Sequence, residues 1–267
     1  MSLHFDVHPN SDSKVQGVPI VILPGLFGSS SNWRSFAKQL CDTAPVFVLD
    51  LRNHGRSPHY ESHRYVDMAK DIKGFCDEHG LNKVIACGHS MGGKAAMTFA
   101  LLFPEYVTSL IVLDIVPVKY SHSHAPFLDA LLKIDLQNVE SRKQVDQLLQ
   151  ASIPEQSTRL FLLQSLSGRP GQFKWRLNLA ILKQFMPEIA DFPHNQLAGK
   201  CSNTPTLLVY GGNSEYVDDA GIREMIRYFS GASVHMLEGA GHWLHIDQPR
   251  ELLGIMKLYI RKVKKND

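Results

Sequence analysis

Gly88-His89-Ser90-Met91-Gly92 is the stretch that decides the fold, because of what lies on either side of it. Before it, Val84-Ile85-Ala86-Cys87 is a short apolar run of β character. After it, Gly93-Lys94-Ala95-Ala96-Met97-Thr98-Phe99-Ala100-Leu101-Leu102 is an Ala- and Leu-rich helix former. A strand that turns sharply into a helix with G-x-S-x-G at the corner is the setting of a nucleophile elbow. The turn strains the serine backbone, and neighbours without side chains let other chain segments pass close by. The hydroxyl then stands at the carboxyl end of a sheet, above a helix N-terminus whose dipole favours negative charge. G-x-S-x-G alone also occurs in plain loops. The flanking strand and helix make Ser90 the candidate nucleophile.

An elbow serine needs a base, and around such an elbow the chain order is serine, acid, histidine. The chain has 13 histidines. His242 is the expected base, in Leu237-Glu238-Gly239-Ala240-Gly241-His242-Trp243, directly after the strand-like Ser233-Val234-His235-Met236-Leu237. Its two glycines let the loop swing back over the sheet edge, and Asp247-Gln248-Pro249 opens the last helix. His245 is the alternative, but it lies nearer the helix start. His89 and His54 read as hydrogen-bonded residues lining the site.

The acid has two candidates. Its usual place follows the strand before the histidine strand, here 206–212, but Ser214 falls at that position and Glu215 is one residue out of step. Asp218 and Asp219 suit a helix first turn. One strand earlier, Ser109-Leu110-Ile111-Val112-Leu113 ends in Asp114. A carboxylate closing an apolar strand is unfavourable without a partner, and neighbouring strand tips sit side by side. Asp114 is therefore the expected acid and Glu215 the alternative.

Acyl transfer also needs backbone N–H groups aimed at a developing oxyanion. One donor is expected from Met91, the residue after the nucleophile. The other is expected from the loop after strand 18–23, Pro24-Gly25-Leu26-Phe27-Gly28-Ser29-Ser30, with Leu26 as the donor and Phe27 as the alternative. The competing reading of that loop is an ordinary strand-to-helix turn.

These elements together resemble the α/β-hydrolase superfamily over nearly the whole chain. Several stretches narrow the likeness: Gly25-Leu26-Phe27-Gly28-Ser29, Asp50-Leu51-Arg52-Asn53-His54-Gly55-Arg56-Ser57-Pro58-His59, Gly88-His89-Ser90-Met91-Gly92-Gly93-Lys94, Asp114-Ile115-Val116-Pro117-Val118, Gly211-Gly212-Asn213-Ser214 and Gly241-His242-Trp243. They are similar to the YbfF-type bacterial esterases and the group of α/β-hydrolase domain-containing protein eleven. The resemblance implies hydrolysis of acyl esters or thioesters without a metal or organic cofactor, and an acid after the sixth strand, in agreement with Asp114. One departure stands out: Pro24 replaces the histidine usual before the first glycine, keeping the turn but removing a side chain and an N–H.

Composition fits one α/β domain with a substantial core in 267 residues. A net charge of +2 with 20% charged residues gives no sign of a nucleic-acid binder. Lys262, Lys264 and Lys265 read as a solvated fringe. Cys41, Cys76, Cys87 and Cys201 are scattered without metal-ligand spacing and read as free thiols in a reducing compartment. No export signal and no bilayer-spanning apolar run is evident, so the expected location is cytoplasmic. The sequence does not set an oligomeric state.

Strand-like and helical runs alternate, as in a mostly parallel sheet covered on both faces. An edge strand is expected at 3–7, helices at 32–40 and 65–78, and a strand at 46–49. The alternation breaks between 115 and about 202, where helix-length segments such as 127–134 and 145–150 are punctuated by Pro154, Gly168, Pro170 and Pro187. The expected organisation is a core of 1–115 and 203–267 with a helical cap at 116–202, inserted after the sixth strand and lying over Ser90, where ligands bind.

The cap carries enough apolar side chains for an acyl pocket, among them Phe127, Leu128, Leu131, Leu132, Phe161, Leu162, Leu166, Phe173, Trp175 and Phe185. At helical spacing most of these suit the cap's own core. Trp175, Arg176 and Asn178 are expected to face the pocket, together with Phe27, His89 and Trp243. From Lys119 to Lys200 ten Lys/Arg stand against seven Asp/Glu, a mild excess that tolerates an anionic acyl-coenzyme A and is also ordinary for a solvated surface. The expected substrate is a small acyl ester or thioester of short to medium chain length. Rival readings are C–C hydrolase, perhydrolase or lyase chemistry with the same apparatus, and a non-enzymatic binding module. Ser90 excludes the reactions that need a carboxylate nucleophile.

Overall fold

The core follows from period-2 alternation in short strands rich in apolar residues, wholly apolar at Ile20–Leu23 and Val46–Leu49. A computed structural model describes residues 2–10, 17–121 and 124–263. In chain order come β1 (Phe5–His8), β2 (Ile20–Leu23), α1 (Ser30–Leu40), β3 (Val46–Leu49), α2 (Tyr65–Glu78), β4 (Val84–His89), α3 (Met91–Leu102) and β5 (Val107–Leu113). An insertion follows with α4 (Ala125–Leu132), α5 (Arg142–Leu149), α6 (Gln156–Leu163), a hairpin of β6 (Leu166–Ser167) and β7 (Lys174–Trp175), α7 (Leu179–Gln184) and α8 (Met186–Ala190). The chain then returns through β8 (Thr206–Gly211), α9 (Asp219–Tyr228), β9 (Ala232–Leu237), α10 (Leu244–Asp247) and α11 (Pro249–Val263).

The main sheet has the order β1-β3-β2-β4-β5-β8-β9. Its pairings are parallel apart from β1 against β3 at the edge. Side chains alternate between faces. Ile20, Ile22, Val46, Val48, Ile85, Cys87, Ile111 and Leu113 cluster with α1 (Trp33, Phe36, Leu40) and α11 (Leu252, Met256, Ile260). Val21, Leu23, Ala86, Leu110 and Val112 cluster with α2 (Met68, Ile72, Phe75) and α3 (Ala95, Ala96, Phe99). Both faces are covered, as a parallel sheet requires.

The order reverses at β2: the chain runs outward to β3 and comes back to β4 on the other side. Such a switch point leaves a crevice at the carboxyl ends of the strands. The loop after β2 and the elbow after β4 flank it. The strand before the insertion is the fifth described strand, whereas the expectation numbered it the sixth; residues 11–16 lie outside the described residues. The insertion also contains the β6–β7 hairpin, which the sequence reading missed because strands of two residues carry no periodicity. Lys264 and Lys265 lie outside the described residues.

Nearly all of α3 is buried, and it contains one cation. The Lys94 ammonium donates to the carbonyls of Val118 (2.9 Å), Ala190 (2.9 Å) and Asp191 (2.8 Å), and sits 4.6 Å from the centre of the Tyr120 ring. Burial pushes it down to about 7, while three carbonyl acceptors match the three donors of its charged form. Through Lys94, α3 grips the two ends of the insertion. The Tyr65 hydroxyl adds a bond to the Ile189 carbonyl (2.6 Å).

Candidate active site

The elbow forms because two backbone approaches there admit no side chain. A Cβ on Gly88 would collide with the Gly92 carbonyl, and one on Gly92 with the Leu23 carbonyl. Ser90 takes φ 53° and ψ −123°, a conformation that is strained for a residue with a side chain. Its N–H donates to Leu113 O (3.0 Å), which ties the corner to the next strand tip.

Ser90 Oγ lies 3.0 Å from His242 Nε2. His242 Nδ1 lies 2.7 Å from Asp114 Oδ2. Asp114 is fully buried and its φ is 52°. Its Oδ1 accepts from Gly211 N–H (2.8 Å), and its Oδ2 also accepts from the Ser214 hydroxyl. The carboxylate is thus buried with partners on both oxygens. Glu215, the alternative acid, is solvent-exposed, and the hydroxyl at the usual acid position meets Asp114 instead. Asp218 caps α9, accepting from Gly221 N–H at 2.7 Å.

The loop carrying His242 is held from three sides. Gly241 N–H donates to Asp247 (2.9 Å), Asn213 N–H donates to Ala240 O (2.9 Å), and the His89 Nε2–H donates to the His242 carbonyl (2.8 Å). Burial keeps His89 well below the ordinary histidine range, so its ring is a neutral donor. Tyr216 stacks on the His242 imidazole, with ring centres 3.9 Å apart and planes at 18°. His245 stacks instead on Trp33 (4.0 Å, 17°), and burial pushes it down to about 3.

The Met91 N–H is in the first turn of α3, where N–H groups have no intrahelical acceptor. The Phe27 N–H is already donated to His54 Nε2 (3.2 Å), which leaves Leu26 as the donor candidate in its loop. Gly25 lies against the elbow: a Cβ there would stand 3.0 Å from His89 Nδ1 and 3.2 Å from Ser90 Cβ.

A cavity of about 60 Å³ opens on Ser90 and His242. From the core it is walled by Leu26, Phe27, Trp33, His89, Trp243 and His245, and from the insertion by Phe127, Thr158, Phe161 and Leu162. Phe27, His89 and Trp243, which are expected to face the pocket, line this cavity. Trp175, Arg176 and Asn178 do not line this cavity, which corrects that expectation. Trp175 pairs with Leu166 in the hairpin, and the Arg176 N–H donates to Ser165 O (2.8 Å). Asn178 bridges to the core loop, its N–H donating to Asn53 O (3.0 Å) and its amide to Asn53 Oδ1 (3.2 Å).

Sequence reasoning also missed Asn32 and Trp33, which read as ordinary α1 residues, and Tyr216, whose contact with His242 is made across two loops. The Asn32 amide donates to Gln164 on the insertion. Among the described residues, no group of three His, Cys, Asp or Glu is placed to hold a metal, and no helix is long and apolar enough to cross a membrane.

Residues 18–249 match the family model described as the alpha/beta hydrolase fold. The mouse sn-1-specific diacylglycerol lipase ABHD11 is 37% identical over 250 residues, covering 90% of this chain and 80% of that protein. Esterase YbfF of Escherichia coli K12 is 31% identical over 243 residues, covering 91% and 92%. A solved structure of a marine microorganism esterase is 34% identical with a TM-score of 0.90, covering 97% of this chain and 99% of that one. With a family match over most of its length and esterases and lipases as its relatives, the chain belongs to the α/β-hydrolase family and is a hydrolase of the esterase type.

Proposed function

We propose that the chain hydrolyses acyl esters or thioesters through a Ser90–His242–Asp114 triad and an acyl-enzyme. The observation that carries this reading is the continuous hydrogen-bonded line from Ser90 Oγ to His242 (3.0 Å) and from His242 to Asp114 (2.7 Å). His242 Nε2 takes the Ser90 proton as Oγ attacks the acyl carbonyl. Asp114 holds the proton on Nδ1 and stabilises the imidazolium. The Leu26 and Met91 N–H groups stabilise the tetrahedral oxyanion. Its collapse breaks the bond to the leaving alcohol or thiol, which takes the proton from His242. Water, deprotonated by His242, then attacks the acyl-enzyme and releases the acid and free Ser90.

Residues 116–202 act in this reading as the cap that selects the substrate. The cavity wall of Phe127, Phe161, Leu162, Trp33 and Trp243 is apolar and the cavity small, which favours short to medium uncharged acyl groups. The names of the relatives, esterase and diacylglycerol lipase, support an acyl ester as the substrate. The test is labelling by a fluorophosphonate probe, followed by turnover on a panel of aryl esters of graded chain length and matching acyl-coenzyme A thioesters. Labelling at Ser90 with turnover that declines beyond medium chains is expected. A folded protein that neither labels nor turns over any member of the panel would show the reading to be wrong.

A further inference from the structure

The loop 50–58 carries polar side chains that the chemistry above does not use, and two of them fasten the loop after β2. Asp50 accepts from Ser30 N–H (2.6 Å) at the start of α1 and from Arg56 N–H (2.7 Å) in its own loop. His54 Nε2 accepts from Phe27 N–H (3.2 Å), and its Nδ1 lies 3.0 Å from the Arg52 carbonyl. Accepting at Nε2 puts the ring proton on Nδ1, where the Arg52 carbonyl receives it. Both polar atoms of this buried ring are satisfied by that single tautomer. Burial pushes the group down to about 4, so the ring stays neutral and Nε2 keeps its lone pair.

A second ring stands behind the first. His63 stacks on His54, with centres 5.3 Å apart and planes at 29°. Its Nδ1 accepts from the Asn53 amide (3.3 Å), which leaves the proton on Nε2, facing Met91 Sδ at 3.4 Å. The two neutral rings therefore back Phe27, which adjoins Leu26, and the side chain of Met91. Phe27 itself is held at φ 67°, a left-handed conformation that a bulky residue adopts only when its surroundings enforce it.

We propose that His54 is a positioning residue for the oxyanion pocket: by accepting from Phe27 N–H it holds Phe27 in the left-handed conformation and so aims the Leu26 N–H, with His63 as the backing ring. The proposal rests on the reading of Leu26 and Met91 as oxyanion donors. It demands an acceptor and a donor on opposite edges of one rigid, neutral side chain, which is what a histidine supplies here.

Two substitutions separate the edges of the ring. The His54→Gln amide reaches the position of Nε2 and can accept from Phe27. His54→Asn reaches only the position of Nδ1 and leaves the Phe27 N–H without its acceptor. With each fold checked by circular dichroism, His54→Asn is expected to lower kcat by about 10²-fold, the size tied to one lost oxyanion donor. KM should stay within about threefold, and the Ki of an alkylboronic acid, which mimics the tetrahedral state, should rise by the same factor as kcat falls. His54→Gln is expected to recover most of kcat. Near-normal kcat in His54→Asn, equal losses in both variants, or an unchanged boronic acid Ki would each overturn the proposal. Full activity in Ser90→Ala would instead overturn the underlying reading and this proposal with it. Imidazole ¹⁵N shifts of the unaltered protein give a second measurement that does not depend on the variants folding. A His54 proton fixed on Nδ1 from about pH 5 to 8 is expected, and a proton on Nε2 overturns the proposal.

Discussion

The two walls of the cavity over Ser90 are held in different ways. On the core side the key polar atoms have defined partners: Asp114 accepts from Gly211, Ser214 and His242, and His54 accepts from Phe27. Four residues with side chains, Phe27, Asn53, Ser90 and Asp114, are kept at positive φ on that side, which persists only where the surroundings over-determine the backbone. On the insertion side Phe127, Phe161 and Leu162 present mainly apolar surface. Near the cavity, ties across to the core include the Asn32–Gln164 bond and a ring contact between Phe161 and Trp243 (5.7 Å). Acyl transfer tolerates little misplacement of reacting groups, whereas an apolar wall can change shape and still exclude water. Damage to the core wall should therefore appear in kcat, and damage to the insertion wall in the choice of substrate.

The largest effects are expected at the two residues that exchange the proton. Ser90→Ala and His242→Ala should each lower ester hydrolysis by roughly 10³-fold or more while leaving the fold intact. The check is steady-state turnover with circular dichroism as the control. Near-normal rates in either folded variant would remove the chemical basis of the distinction between the walls.

Next comes the acid, where two carboxylates can be set against each other. Asp114→Asn keeps the shape but loses the charge and can favour the wrong histidine tautomer, so kcat should fall by about 10²- to 10⁴-fold. Glu215→Gln, at an exposed position, should stay within about twofold of the unaltered rate. Measuring kcat for both near neutral pH decides between them: if the glutamate variant is the more damaged, Asp114 is not the acid.

The meeting of Ser90, Asp114 and His242 was legible in sequence because each signal is local. A serine between glycines at a strand–helix corner, an Asp closing an apolar strand and a His in a glycine-flanked loop can each be read without knowing the others. The α/β class was legible for the same reason, since each strand states its own period. What escaped depends on distant packing. Trp33 has the spacing of any α1 core residue, and nothing local says that its ring meets His245 across more than 200 positions. Trp175 and Arg176 are expected to face the pocket, but no periodicity marks the stretch around them as paired strands. In the structure that stretch belongs to a hairpin too short to declare its faces.

Acid should weaken the core wall in a predictable window. His54, His63 and His89 are buried rings whose proton affinity is lowered chiefly by desolvation. Above about pH 6.5, the ordinary value, they are neutral in both folded and unfolded chains. Below it the unfolded chain takes up protons that the folded one refuses, so stability falls as pH falls. Each ring makes stability fall by at most roughly 1 kcal/mol per pH unit in that window, and the decline from His54 levels off near its folded value of about 4. Urea unfolding at a series of pH values from 7 to 5 is the measurement. A flat stability across that range would mean that these rings are not held neutral.

The smallest effect is expected on the insertion wall, and it is one of preference. Phe161 is half-buried, lines the cavity and touches Trp243 at its rim. Replacing it by Ala removes a ring from a small cavity without touching any hydrogen bond to Ser90, His242 or Asp114. Extra room for one or two methylenes changes discrimination by about 1–3 kcal/mol at most in a well-formed apolar pocket. Phe161 is itself only half-buried, so a shift of about three- to tenfold toward longer acyl chains is expected, carried by KM with kcat within about twofold. Phe127→Ala should act in the same direction. The comparison to make is kcat/KM for each variant across esters of graded chain length. A uniform drop in kcat for every ester would show that Phe161 holds the reacting groups in place, and the division of labour between the two walls would then be wrong.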